Sequence, residues 1–550
     1  MPPIVIAGGG VAGLATAHCL RAAGVGCRII IVEPRTGPRS PPRVQTMWSN
    51  SLLVLERLGL RQRLCPLSTD TPMGGAMYMT TAGYRSVDGR WLARPTPLVA
   101  GGIPGALFLT EDALLAALIE ALPAGVEVLA GRSVAEFGGA RGPQTTRATG
   151  GSNDLVSVIL DDGMSLPPAR LLVGADGIDS AVRRRLVAPG ASPVLRGYDV
   201  YRAVVRPSCS GGAAGVGSGN AAGFAGMEAF QTWGPSGRFA AVPLAGGGAA
   251  WFATVATEPS GRSSSAAAAS GAWGASGAVV SGALEGGGCG TGGGADGAGL
   301  LAALGRRFGH WHSPVAELLA ATDPGSVAAE AARSSPVFRW PSPAALAGGG
   351  KGGGAGGGNN GGADPPGGGQ GSGDWRLRVA LVGDALRTLD PVLAQGSGLA
   401  VEDAAALASA LAPALVGSTA AAAGPAAAVA AAVGRFAEAR AGRSAALEAL
   451  SGLSQALGLV RGDPTGGSGG GGGGGVLLAL RDGALHALPG AVKTLAFDAA
   501  LRASLATALA PSACLPRSPH AYRAPYLPHR VGLEPPHLPS EKRCSYIHNP

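Results

Sequence analysis

The chain opens with an apolar run, a glycine turn and a second apolar run. Residues 4–7 (IVIA) have the pattern of a short strand buried in a parallel sheet. Residues 11–23 are small and predict a helix, and residues 27–32 (CRIIIV) predict a second strand. This order of strand, glycine turn, helix and strand predicts the start of an α/β domain.

A different pattern follows in the middle of the chain. Between Tyr198 and Val255, β-branched and aromatic runs alternate with turns, which indicates an antiparallel sheet. Other predicted elements are a loop and helix at 43–60, a helix, turn and strand at 109–131, strands at 155–160 and 170–175, helical residues at 300–322, and a strand at 375–385. The last strand returns the chain to the first sheet, so the antiparallel sheet is predicted as an inserted domain.

Glycine-rich tracts mark the predicted boundaries, because such tracts behave as flexible coil and bury no core. The first domain is assigned residues 1–75, 109–190 and 375–460, the last with helices. The inserted domain is assigned 76–108 and 191–345, with a low-complexity insert at 257–298. A disordered glycine-rich insert at 346–374, a glycine tract and helices at 461–510, and a disordered tail at 511–550 complete the assignment.

Composition narrows the class of protein. The net charge is +8, but the positive residues are dispersed and no basic stripe with aromatics occurs, so nucleic-acid binding is not expected. Seven cysteines without a C-x-x-C pair predict a reducing compartment and no zinc site. The first strand starts at residue 4, so we expect no targeting segment and a cytoplasmic location, with an organelle left open. The alanine-rich stretch 404–433 contains Pro413 and predicts packed helices; we expect no transmembrane span and leave peripheral membrane contact open.

Gly8, Gly10 and Gly13 give the first chemical signal, a G-x-G-x-x-G turn between strand and helix. With 94 glycines in the chain, this pattern has weight only because of its context. The first glycine permits the tight turn, the second lets the backbone approach a pyrophosphate, and the third lets helix and strand pack closely. Glu33 follows the second strand at the spacing of a ribose-binding acid, so a dinucleotide site is predicted.

Two later turns indicate which dinucleotide is bound. In LLVGADGIDSAVRRRL (171–186), a strand ends at Asp176-Gly177; Asp176 or Asp179 could instead only cap a helix. In 379–407, a strand ends at Gly383-Asp384, and a proline turn and a helix with small residues follow. A carboxylate suits a polyol chain, small residues admit a planar ring, and a helix N-terminus favours negative charge on that ring. A ribityl chain and a reduced flavin meet these demands.

These three motifs, in this order, resemble FAD-dependent monooxygenases of the para-hydroxybenzoate hydroxylase fold, the group A flavoprotein monooxygenases. Segments 231–255, 305–324 and 435–444 resemble the branch of salicylate hydroxylases and zeaxanthin epoxidases, and the likeness covers about residues 3–455 without the glycine inserts. It implies an α/β fold: an FAD-binding Rossmann-like domain of glutathione-reductase type, an inserted, mostly antiparallel substrate-domain sheet, and C-terminal helices.

The resemblance implies a role for each motif residue. Gly8, Gly10 and Gly13 would bind the pyrophosphate and Glu33 the ribose, and Arg43 would lie near FAD. Asp176 and Gly177 would serve FAD and the passing nicotinamide cofactor, while Gly383 and Asp384 would contact ribityl and phosphate groups. Residues bordering the isoalloxazine would be Pro391, Gln395, Gly396 and Gly398. Val11, Ala12 and Leu399 complete the predicted cofactor-binding set.

The implied activity is monooxygenation. NAD(P)H would transiently reduce FAD, O2 would form a flavin C4a-hydroperoxide, and one oxygen atom would hydroxylate or epoxidise an aromatic or other unsaturated ring of a small-molecule substrate. This chemistry predicts neither a catalytic acid or base from the protein nor a metal.

Three departures from the family pattern leave alternatives open. Relatives usually have His where Arg387 stands, many have Arg where Glu111 stands, and Asn or Ala is usual near Gly398. One alternative is a flavin halogenase or reductase on the same fold, although the W-x-W-x-I-P stretch of a halogenase is absent. Another is an FAD-binding protein that has lost turnover.

Overall fold

The computed structural model describes most of the chain outside the glycine-rich tracts. The described residues are 1–64, 77–78, 82–94, 106–139, 155–186, 193–206, 224, 226–244, 247–257, 297–336, 338, 375–416 and 424–458. The predicted insert at 257–298 lies outside them except for residues 257, 297 and 298. The predicted insert at 346–374, the segment 461–510 and the tail 511–550 lie outside them entirely.

Strands and helices alternate in the first half, and helices end the described chain. The strands are β1 Ile4–Ala7, β2 Ile29–Glu33, β3 Val44–Trp48, β4 Met77–Tyr78, β5 Ala82–Arg85, β6 Trp91–Ala93, β7 Ala106–Thr110, β8 Val126–Ala130, β9 Val134–Gly139, β10 Val156–Leu160, β11 Leu171–Gly174, β12 Val194–Val205, β13 Ala229–Gly234, β14 Gly237–Pro243, β15 Ala249–Ala256, β16 Ala328–Ser334 and β17 Val379–Leu381. The helices are α1 Val11–Ala22, α2 Ser49–Arg57, α3 Arg61–Leu64, α4 Glu111–Glu120, α5 Ala181–Leu186, α6 Gly297–Phe308, α7 Val315–Ala320, α8 Gly396–Val416 and α9 Gly424–Gly458.

A parallel sheet forms the first domain, in the strand order β17-β11-β1-β2-β8. Its central strands are buried on both faces, which explains why they are continuous apolar runs rather than alternating ones. Helices α1 and α8 pack against each other in the core beside it. The strands of this sheet come from three separate parts of the chain. The loops at the carboxyl ends of the strands therefore bring together residues that are far apart in sequence.

A seven-stranded sheet forms the second domain, in the order β16-β12-β15-β14-β13-β5-β6. All neighbours are antiparallel except β5 and β13, which are parallel. One face packs on α6 and α7 around Trp251, Phe239 and Phe308. Smaller sheets have the orders β3-β7-β4 and β10-β9. The predicted α/β class with an inserted, mostly antiparallel sheet is confirmed, whereas the exact domain boundaries stay predictions.

Three local predictions need correction. The start of 43–60 is not a loop but strand β3, because it pairs with the distant strand β7, a contact that no local pattern reveals. Residues 300–322 form parts of two helices, separated at a turn before Pro314. The strand predicted at 375–385 is confined to β17, and 3-10 turns flank it on both sides.

Helix α8 is long and apolar enough to cross a membrane by length and composition alone. Much of it is nevertheless buried inside the protein, against α1, α2 and α9. Glu402 and Asp403 on this helix are fully buried and ion-paired with arginines. This burial is that of a core helix, as the prediction of packed helices in this part of the chain requires.

Candidate flavin site

Gly8 joins the first and second motifs. It follows β1 with a φ of +105°, and a Cβ there would lie 2.3 Å from the carbonyl oxygen of Ala175. A Cβ on Gly13 would lie 1.9 Å from the Gly8 oxygen. Both positions therefore require glycine, and the turn before α1 lies directly against the backbone that leads into Asp176.

The N-terminus of α1 is open. Gly10 is its N-cap, no side chain caps it, and its first turn holds no acid. Val11 and Ala12 are partly exposed, so the unpaired N–H groups of this turn are free to receive an anion. Beside them, the Glu33 carboxylate accepts hydrogen bonds from Gly9 N at 2.6 Å and from Arg35 Nε at 2.7 Å. The structure thus brings the predicted ribose acid to the glycine turn.

Asp176 takes the capping role that the sequence left open. Its carboxylate accepts from Ser180 Oγ at 2.5 Å and from Val182 N at 3.1 Å, at the start of α5. Burial raises the pKa of Asp176, against these hydrogen bonds. Asp179 pairs instead with Arg333. Gly177, with a φ of +83° and open space around it, leaves the backbone of this turn accessible.

The third motif lies against the first. Gly383 has a φ of +59°, and its Cβ would be 2.9 Å from the Cβ of Ala12. Asp384 comes next, and its residue is exposed although surrounding protein atoms raise its pKa by desolvation. The exposed residue Asp384 is open to a ligand such as a polyol.

The proline turn ends at the start of α8. Pro391 begins a 3-10 turn, and Trp48 Nε1 donates to the Ala394 carbonyl oxygen at 3.0 Å. Gln395 is buried, and among the described residues its Oε1 has no hydrogen-bond partner. Gly396 has open space around it. A buried carbonyl oxygen without a partner is costly and indicates a ligand donor at this position.

Small residues continue along the first turn of α8. A Cβ on Gly398 would make an ordinary contact with Ser51 Oγ at 3.4 Å, and Leu399 is buried. Gly398, one of the departures from the family pattern, has no side chain and therefore leaves space beside Ser51 of α2.

Two contacts attach this turn to the inserted sheet. Asp390, just before Pro391, accepts from Tyr198 Oη and from Arg196 Nε, the latter at 3.0 Å. The end of α9 contacts the same sheet, because Gln455 Nε2 donates to the Arg196 oxygen at 3.1 Å. The turn at the predicted flavin border is therefore fixed by both domains.

Arg43 forms an ion pair with the inserted sheet, and its positive charge also acts on Asp384 of the third turn, where it opposes the rise in pKa that desolvation causes. Its Nη2 donates to Glu330 Oε2 on β16 at 2.8 Å, and Arg202 on β12 pairs with the same carboxylate. Burial and the neighbouring charge of Arg43 lower the pKa of Arg202 to about 10. The predicted nearness of Arg43 to FAD therefore stays a prediction.

The two charged departures have separate environments. Glu111 is buried and lies among cations: Arg39 Nε at 3.2 Å and Arg35 Nη1 at 3.6 Å from its Oε1. Its Oε2 accepts from Gln45 Nε2 at 3.2 Å. Arg387 is fully buried and binds Asp403 through both of its terminal nitrogens, at 2.5 and 3.0 Å. Arg387 therefore points into the core rather than at the open cleft.

Sequence reasoning missed the buried charge network behind the third turn. Its members are Arg387, Glu402, Asp403, Arg440 and Arg443. A usable signal was present, since two adjacent acids interrupt the apolar helix 396–416. Buried charges of this kind need partners, which two arginines three positions apart in RFAEARAGRS supply.

The residues present fit FAD. The open helix N-terminus suits a pyrophosphate, the carboxylate of Asp384 suits a ribityl chain, and the unpartnered Gln395 oxygen suits an N–H at a ring edge. The first glycine turn contacts both later motifs, through Gly8 against Ala175 and Ala12 against Gly383. The role of each single residue toward the cofactor stays a prediction.

Comparison with known proteins agrees with this geometry. Residues 1–211 match the family described as FAD binding domain. The chain is 25% identical over 412 residues to the aurachin C monooxygenase/isomerase of Stigmatella aurantiaca, covering 74% of this chain and 80% of that one. It is 27% identical over 419 residues to a 3-amino-4-hydroxybenzoate 2-monooxygenase of Streptomyces cremeus, covering 74% and 78%.

A solved structure shares the fold. Klebsiella pneumoniae HpxO, complexed with FAD and uric acid, superposes with a TM-score of 0.58 at 18% identity, over 92% of this chain and 97% of that one. The fold and the cleft together define an FAD-binding flavoprotein. Over most of its length the chain is similar to FAD-dependent monooxygenases, and it is an FAD-dependent oxidoreductase acting on a small-molecule substrate. The predictions of family, enzyme class and FAD are thereby confirmed.

Proposed function

We propose that the protein inserts one oxygen atom of O2 into an aromatic ring, by hydroxylation or epoxidation, with NAD(P)H as the transient reductant of FAD. The observation that carries the proposal is the contact of three turns from distant parts of the chain: Gly8 against Ala175, and Ala12 against Gly383. Such a junction at the carboxyl ends of parallel strands is the usual binding place of a dinucleotide.

The substrate is proposed to lie between the two domains. A separate apolar cluster joins the three-stranded and seven-stranded sheets there; it comprises Val44, Phe108, Val204, Ala229, Val242, Leu244 and Ala250, with Phe252 packed against it. Arg43 directly precedes the cluster residue Val44 at the start of β3, and Arg202 lies two residues before the cluster residue Val204 on β12. An apolar wall with cations at one end suits a ring with an acidic substituent, and a relative named for a hydroxybenzoate supports that class.

The protein's part in the reaction is binding, orientation and exclusion of water. The α1 N-terminus would hold the pyrophosphate, Asp384 would accept from ribityl hydroxyls, and Gln395 would accept from the ring edge. FAD, when bound and reduced, supplies the activation of O2. The dispersed positive charge supports a small molecule rather than a nucleic acid as partner, and a cytoplasmic location stays a prediction.

Absorption spectroscopy tests the proposal. Purified protein is expected to show oxidised-flavin bands near about 370 and 450 nm, which are properties of the cofactor. Without O2, NADPH or NADH should bleach them, and faster when the effective hydroxybenzoate or related ring compound is present. Bound flavin that neither nucleotide bleaches would contradict turnover and favour a flavin-binding protein without activity.

A variant pair tests the site itself. Gly8→Ala should weaken FAD binding about 100-fold, since its Cβ would overlap the Ala175 carbonyl at a positive φ. Gly442→Ala is the matched control, because Gly442 is exposed on α9 with nothing within 4 Å of its Cβ position. Flavin fluorescence titrated with each apoprotein gives the dissociation constant. Equal constants for the two variants would overturn the placement of FAD at this turn.

A further inference from the structure

A buried carboxylate holds the third turn from behind. Asp403 Oδ2 accepts from Gly383 N at 2.9 Å and from Arg387 Nη1 at 2.5 Å. Asp403 Oδ1 accepts from Arg387 Nη2 at 3.0 Å and from Arg440 Nε at 2.7 Å. Asp403 is 0% exposed. Its carboxylate is thus occupied by four donors, of which one is the backbone of the turn.

The turn is constrained from the front as well. Gly383 has no room for a side chain because Ala12 and Ala400 lie against it. Its N–H direction is then set by Asp403, and the next residue, Asp384, is exposed. A shift of the Asp403 carboxylate would therefore move Gly383, and with it the next residue, Asp384.

We propose that Asp403 is a positioning residue for the flavin: through the Gly383 N–H it sets the turn that presents Asp384, and Arg387 and Arg440 fix the carboxylate in place. The inference rests on the proposed flavin site. It also explains why arginine stands at position 387, because Arg387 supplies two of the four hydrogen-bond donors to Asp403.

Glu402 offers a matched comparison in the same network. It is also 0% exposed, and its carboxylate accepts from Arg440 Nη2 at 2.9 Å, from Arg443 Nη2 at 2.9 Å and Nε at 3.2 Å, and from Asn50. These bonds lead to α9 and α2, not to the Gly383 turn. Replacing either acid by its amide removes one negative charge and turns two of its four hydrogen bonds into donor–donor contacts.

The experiment compares Asp403→Asn with Glu402→Gln in the full chain. Both should lower the urea midpoint. Only D403N should raise the FAD dissociation constant, by about tenfold, the value of one charge-assisted hydrogen bond. It should also shift the flavin midpoint potential and the shape of the band near 450 nm. Equal changes in both variants, or wild-type FAD binding in D403N, would overturn the inference.

A second pair protects the test if D403N does not fold. Arg387→Lys keeps the charge but loses the planar fork that grips Asp403, while Arg443→Lys makes the same change at Glu402. A rise in the FAD dissociation constant confined to R387K supports the inference, and equal constants overturn it. Wild-type protein that binds no FAD would overturn the flavin site itself, a result distinct from tight wild-type binding with equal variants.

Discussion

Asp403 and Asp199 are two buried carboxylates with opposite electrostatics. Burial alone would raise the pKa of Asp403, but the charges of Arg387 and Arg440 outweigh it and hold that pKa below its usual range. In strand β12 of the inserted sheet, burial raises the pKa of Asp199 to about 6, against a hydrogen bond from Tyr201. Ionisation therefore strengthens the fold at Asp403 and weakens it at Asp199, because among the described residues cationic side chains bind Asp403 whereas Asp199 has the hydroxyl of Tyr201.

Glu330 is a third case, which separates charge from burial. It binds two arginines, Arg43 and Arg202, as Asp403 does, but its side chain is 38% exposed. Water competes for exposed pairs, so their net contribution to stability is small. The comparison predicts that burial, rather than the number of arginine partners, sets the cost of breaking each cluster.

The largest effect is expected where the buried network is opened. Arg440→Ala leaves Asp403 and Glu402 each without one buried partner, and should lower the free energy of unfolding by about 3–5 kcal/mol. Urea denaturation followed by circular dichroism measures it. Arg435→Ala, at an exposed position on the same helix, should change it by less than about 0.5 kcal/mol. Similar midpoints for the two variants would contradict the importance of the network.

The next effect depends on pH. An acid whose folded pKa is raised destabilises the fold progressively as pH rises from its unfolded pKa near 4 to its folded pKa, and the loss is constant above the folded pKa. Since the pKa of Asp199 is about 6, Asp199→Asn should be more stable than wild type by about 3 kcal/mol at pH 8, and most of the difference should be gone near pH 4.

Unfolding midpoints of both proteins from pH 4 to 8 test this directly. Wild-type protein should lose stability relative to D199N mainly between about pH 4 and 6. A difference in unfolding midpoint between wild type and D199N that does not change with pH would show that Asp199 does not titrate between pH 4 and 8. Its pKa would then not be raised, and the contrast with Asp403 would fail.

The smallest effect is expected at the exposed cluster. Glu330→Gln should change the free energy of unfolding by less than about 1 kcal/mol, and the change should shrink further in high salt. Unfolding at about 0.05 and 1 M NaCl checks it. A loss in the free energy of unfolding as large as that of R440A would mean that the ion pairs of Glu330 with Arg43 and Arg202 are shielded from water.

The local signals in the sequence predicted the first domain well. The strands β1 and β2 and the glycine turn follow from short apolar runs and a spacing that sterics impose at Gly8 and Gly13. Strand β3 escaped prediction because its partner β7 is far along the chain, and register between distant strands leaves no local pattern. The mostly antiparallel sheet was predictable from alternation, but its parallel β5–β13 pair was not.

The candidate site was predictable as three turns, but not as one assembly. Nothing in the spacing of Gly8 and Gly383 says that Ala12 lies against the latter. Whether the Oε1 atom of Gln395 has a hydrogen-bond partner depends on the residues packed around it, so the sequence alone does not show it. Arg387 departs from the family pattern, and the sequence does not show that its side chain binds Asp403 in the core.

The third turn depends on Arg440 of α9, a residue that is synthesised late. The glycine turn at Gly8 leaves the ribosome first, but Gly383 and the residues that fix it, up to Arg440, emerge only near the end of the described chain. A growing chain therefore carries an incomplete cleft through most of its synthesis. The complete flavin site can therefore form only after Arg440 has been synthesised.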